Sequence, residues 1–137
     1  MYKRQELDSK DPGVLLQAAR LAANSRSPEV ATKLSGVLNR KLLNETDENI
    51  KSTAIKALAE MALPEALPGV RQFLHSRSLL QSFQSNNLKI EAVKTLVRYD
   101  SPDAVDLAEE VYRKASGELA RAAGQVCLQK RRKLPWT

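Results

Sequence analysis

LKIEAVKTLVRYDSPDAVDLAEEVY, residues 88–112, decides the fold. Its aliphatic positions Leu88, Ala92, Val93 and Leu96 recur at i, i+4, i+5 and i+8, the stripe of an amphipathic helix. That helix is expected to stop near Tyr99-Asp100, where Ser101-Pro102-Asp103 restarts the chain. Serine is a good N-cap, and proline fits the first helical position because its missing N–H has no intrahelical partner there anyway. Aspartate suits the positive end of the helix dipole. A second helix follows, with Ala104, Ala108, Val111 and Tyr112 as its apolar side.

Working outward, the same pattern appears twice more without a gap, from Val14 and from Ile50. Ile50, Ala54, Ile55 and Leu58 match the first stripe, as do Val14, Ala18, Ala19 and Ala22. A proline stands fourteen residues after each leading aliphatic, at Pro28, Pro64 and Pro102. Ser27-Pro28-Glu29 repeats the capping signal, whereas Leu63-Pro64-Glu65 lacks a side-chain cap and predicts a weaker turn. The second helices carry Val30, Leu34, Val37 and Leu38, then Ala66, Val70, Phe73 and Leu74, with Pro68 tolerable in a first turn. A shorter fourth copy starts at Leu119, and a final helix is expected from Gly117 to about Lys130. Cys127 takes the register of Leu58 and Leu96, so a buried structural thiol is expected. Ala120, Ala123 and Gly124 suggest close helix approach. Starts 36, 38 and 31 residues apart predict stacked helical pairs.

These residues resemble a HEAT repeat of the short, bacterial kind, related to those of phycobilin lyases. That pattern opens with an aliphatic and a basic residue, as in Leu88-Lys89 and Ile50-Lys51, and continues through alanines and a leucine to a proline-acid turn. The first repeat departs from it, with Leu15 in the basic position. The resemblance covers roughly residues 12–130. It implies an all-α solenoid of about seven helices, three antiparallel pairs plus one, within a single domain spanning 1–137. The repeats fall at about 12–44, 47–76 and 87–115, with a partial one at 117–134. Armadillo repeats would need a third helix in each unit, and tetratricopeptide repeats a stricter period with bulky aromatics.

Composition bounds the function. Leucine (20) and alanine (17) dominate the 137 residues, while aromatics make up 4%. One cysteine excludes an intramolecular disulfide and a cysteine-rich zinc site. One histidine, His75, removes mechanisms that need two and reads as a surface side chain. There is no HExxH, glycine-rich phosphate loop, CxxC or GxSxG, so no catalytic residue, cofactor or metal is expected. With no long apolar run and no signal-like N-terminus, the cytoplasm is the expected location. Of the net charge of +6, Lys130, Arg131, Arg132 and Lys133 supply four. The basic pI therefore describes the C-terminal cluster more than the whole chain.

In a HEAT solenoid the second helices line the concave side. Advancing 18, 22 and 25 positions from the repeat starts selects Thr32, Pro68 and Asp106; Gly36, Gln72 and Glu110; and Asn39, His75 and Arg113. This row is polar and slightly acidic at one end. Arg20, Lys56 and Lys94, with Lys51, Lys89 and Arg98, are placed on the convex face, where Glu91 is spaced to pair with Lys94. The connection from His75 to Asn87 exceeds what packing requires and holds Leu79, Leu80 and Phe83. Long connections of this kind are often functional or mobile.

The leading functional reading is a non-enzymatic protein-interaction scaffold or regulatory module. Its candidate partner-binding residues are Asn39, Gln72, His75, Phe83, Glu110 and Arg113. The partner is another protein or a domain of a larger parent, and self-association through the open end of the stack is a further possibility. The alternative is nucleic-acid binding through the basic cluster, by likeness of fold to HEAT-like DNA glycosylases; a third, a tetrapyrrole lyase subunit, rests on kinship alone. Leu134-Pro135-Trp136 is read as a tail folding back over the final helix.

Overall fold

The computed structural model describes the backbone of residues 12–39, 45–75 and 83–132, and the side chains of 13–39, 49–75 and 87–130. Seven helices, and no strand, occur among the described residues. Helices α1 (Pro12–Ala22) and α2 (Pro28–Val37) form the first pair, α3 (Glu45–Met61) and α4 (Leu67–His75) the second, and α5 (Phe83–Thr95) and α6 (Pro102–Lys114) the third. Helix α7 (Gly117–Arg132) closes the series. Helices α1, α3, α5 and α7 pack side by side as one layer, and α2, α4 and α6 make the other.

The turns follow their local chemistry. Ser27 Oγ accepts from the Val30 amide at 3.4 Å, and Ser101 Oγ from the Asp103 amide at 3.2 Å. Leu63 provides no side-chain cap, and α4 is entered through a 3-10 turn at Pro64–Ala66. The preceding stop is unusual: Ala62 sits at φ 52, a left-handed conformation that costs an alanine roughly 1–2 kcal/mol. Proline explains it, since Leu63 must stay extended before Pro64 and the chain has to turn within one residue. Helix α5 tightens into a 3-10 turn at Leu96–Arg98 and ends at Tyr99.

The repeat register agrees with the buried core. Ile50, Ala54, Ile55 and Leu58 are buried, and so are Leu88, Ala92, Val93 and Leu96. Several positions depart from it. Val14 is exposed and Leu15 takes its place in the core, because α1 has no earlier helix among the described residues to cover the leading position. Tyr112, expected on the apolar side of α6, is 57% exposed, although its counterparts Leu38 and Leu74 are only 1% and 5% exposed. Cys127 is half-buried against the core.

The third repeat also starts earlier than its aliphatic stripe. Residues 83–87, expected in the connection, belong to α5. Leu79, Leu80 and the Phe83 side chain lie outside the described residues, as does the expected tail at 134–136.

Candidate protein-interaction surface

The second-helix layer presents the expected row, but several of its members hold the stack together. Thr32, Gly36, Pro68, Gln72, Asp106 and Arg113 are exposed. Asn39 is not a free recognition group: its Nδ2 donates to the Ser35 carbonyl at 3.3 Å and, across the layer, to the Gly69 carbonyl at 3.1 Å. That second bond requires α2 and α4 to lie very close. A Cβ placed on Gly69 would fall 2.3 Å from Ser35 Oγ and 2.5 Å from Ser35 Cβ, so only glycine fits there.

Glu110 is the centre of the next junction. Its Oε1 accepts from Arg71 Nε at 3.2 Å and from Nη2 at 2.8 Å, joining α4 to α6. His75 Nε2 lies 3.1 Å from the same oxygen but out of line for a hydrogen bond, and Lys114 Nζ stands at 3.7 Å. The hydrogen bond from Arg71 holds the Glu110 carboxyl below its usual range, reinforced by the charges around it and opposed by partial burial. The acidic end of the row is therefore largely neutralised. Arg71, which the periodicity did not select, is one of its most exposed groups. Of the six candidate partner residues, Gln72 and Arg113 are presented to solvent, whereas Asn39, His75 and Glu110 are spent on helix-to-helix contacts. Phe83 contributes only its backbone to what is described.

The first-helix face also needs correction. Arg20, Lys56, Lys94 and Arg98 are exposed as expected, but Lys51 and Lys89 are 6% and 8% exposed. Each immediately follows a core aliphatic, and its long methylene stem is covered by the neighbouring helices. Lys51 Nζ lies 5.8 Å from the centre of the Phe73 ring, in cation–π range. Burial lowers the Lys89 ammonium from its usual value. Glu91 turns from Lys94 to the neighbouring repeat, accepting from Ser52 Oγ at 3.0 and 3.2 Å.

In the C-terminal cluster, Lys130 is not simply displayed to solvent. Its Nζ donates to the Tyr99 carbonyl, tying α7 to the end of the α5 segment. Arg131 and Arg132 end α7 with side chains outside the described set, and Lys133 lies beyond it. Among the described residues no group of His, Cys, Asp and Glu is placed to hold a metal ion, and no helix is long and apolar enough to cross a membrane. Among the described residues, exposed polar and basic side chains stand on both layers of the stack.

A family model described as HEAT repeats matches residues 41–129. No match was found among curated proteins or solved structures.

Proposed function

The chain belongs to the HEAT repeats family, and from that premise we propose that it is a non-enzymatic protein-interaction module whose second-helix face receives a protein partner. Stacked repeats make an extended surface with no chemistry of their own, and proteins of this family generally mediate protein–protein interaction. The observation that carries the reading is the cluster at the α4–α6 junction. Arg71 and Lys114 reach Glu110 from α4 and α6, and the exposed Gln72 follows Arg71 on α4, so donors stand around a carboxylate that is already paired. Such a surface suits carboxylates and backbone carbonyls of a protein ligand, because the partner's acceptors meet donors whose positions are held in advance.

Affinity capture from the native cell tests it by comparing the wild type with Gln72→Glu and with Lys56→Glu/Lys94→Glu. Loss of captured protein in the first variant alone supports the second-helix face. Loss in the second variant alone would transfer the site to the basic first-helix row. The nucleic-acid alternative is separated by salt dependence. Four phosphate contacts from residues 130–133 imply a log–log slope of roughly −3.6, and roughly −2.7 if Lys130 stays on Tyr99. A slope near zero removes that alternative.

A further inference from the structure

In the first two repeats, positions 21 and 25 after the repeat start reach the next helix of the second layer, and position 24 is buried. On α2 these are Ser35, Leu38 and Asn39, which meet Gly69 or lie buried. On α4 they are Arg71, Leu74 and His75, of which Arg71 and His75 reach Glu110 on α6 while Leu74 is buried. On α6 they are Glu109, Tyr112 and Arg113. No helix of the second layer follows α6 among the described residues. Tyr112 is accordingly 57% exposed, with its ring laid on α7 at Gly124, where an added Cβ would lie 3.2 Å from Cε1. Leu128, one turn beyond Gly124 on the same side of α7, is equally exposed.

We propose that a second copy of this chain covers this face, α6 packing antiparallel on its counterpart across a two-fold axis through Glu109, Tyr112 and Arg113. The charge order on the helix favours this occupant. Two-fold contacts are reciprocal, residue i meeting j and j meeting i. Glu109 and Arg113 are one turn apart and already pair within one helix at 3.5 Å, the arginine exposed and the glutamate half-buried. In an antiparallel pair each can face the opposite charge of the other copy. The midpoint of 109 and 113 is residue 111, next to Tyr112 in the chain, so the two tyrosine rings meet near the axis. A ring already supported by the helix beneath it loses little freedom on docking, as expected of an aromatic anchor.

Sedimentation over a concentration series provides the test. The wild type should show a reversible dimer, and Tyr112→Glu a monomer. Glu109→Arg and Arg113→Glu should each be monomeric alone, since each puts like charges opposite one another, while mixing the two variants should restore association as a heterodimer. Circular dichroism melting confirms folding of each variant, and the mixing experiment decides even if Tyr112→Glu proves unstable. A wild type that stays monomeric overturns the proposal. If deleting residues 134–137 then produced dimers, the tail would be the occupant. Association indifferent to the charge reversals, or not recovered on mixing, overturns it equally.

Discussion

Two glycines on the second-helix layer should respond to the same substitution with opposite signs. Inside a helix, glycine costs about 0.8–1.0 kcal/mol relative to alanine, so propensity alone makes both Gly36→Ala and Gly69→Ala stabilising. At Gly36 nothing lies within 4 Å of the added methyl, and the expected gain is about 0.5–1 kcal/mol, reduced slightly because the residue is in the last turn of α2. At Gly69 the methyl would be 2.3 Å from Ser35 Oγ, 2.5 Å from Ser35 Cβ and 3.2 Å from the Ser35 carbonyl carbon. The hydroxyl can rotate away; the Cβ and backbone cannot. Relief requires α2 and α4 to separate by about 1 Å, which also stretches the 3.1 Å bond from Asn39 to the Gly69 carbonyl. Overpacking of this kind typically costs about 1–3 kcal/mol, and weakening a hydrogen bond adds about 1 kcal/mol. After the propensity gain, a net loss of about 1–3 kcal/mol remains. Urea and thermal unfolding measure both variants, a change of 1 kcal/mol corresponding to roughly 3–5 °C for a chain of this size. Ser35→Gly should rescue part of the Gly69→Ala loss. A Gly69→Ala protein as stable as Gly36→Ala would show that the helices are not in close approach and refute the reasoning.

Other expectations test the register and the titrating groups. Leu58→Ala and Leu96→Ala should each cost about 2–5 kcal/mol, against under about 0.5 kcal/mol for Lys56→Ala and Lys94→Ala; Lys51→Ala and Lys89→Ala should cost more than the exposed lysines because their stems are packed. Lysine changes more damaging than the leucine changes would reverse the assignment of faces. Burial raises the Tyr99 phenol above its usual 10.0, so above that pH the unfolded chain ionises while the folded one keeps its proton. Stability should therefore fall as pH rises past about 10, and Tyr99→Phe should flatten that fall in alkaline melts. Glu110, held below its usual 4.5, contributes stability above its unfolded value and loses it as pH drops through its folded one. Glu110→Gln should therefore be less stable than the wild type at neutral pH, converge with it in acid, and lose less on adding salt.

Legibility of the fold rested on features that act locally. The three prolines and two serine caps set helix boundaries through their own backbone and side-chain chemistry, so their spacing carried the repeat directly. What the spacing could not show was the distance between helices. Nothing in the run around Gly69 announces a neighbour, and the row containing Asn39, His75 and Glu110 looked solvent-facing because polarity was taken for exposure. Lys51 and Lys89 erred in the same direction: charge marked them as surface, while the length of their stems allows burial. Tyr112 erred in the opposite one. Its register is that of a core residue, but coverage depends on the following helix, which is a property of position along the stack.

The lysine bond from α7 to the Tyr99 carbonyl has a consequence for how the last helix comes loose. Among the described residues no further helix packs on the far side of α7, and a unit supported from one side opens before the interior. The Lys130 bond to the carbonyl where the α5 segment stops opposes that opening by about 0.5–1.5 kcal/mol. Amide exchange along the second half of α7 should therefore be faster in Lys130→Met than in the wild type, and an unchanged rate would refute the tether.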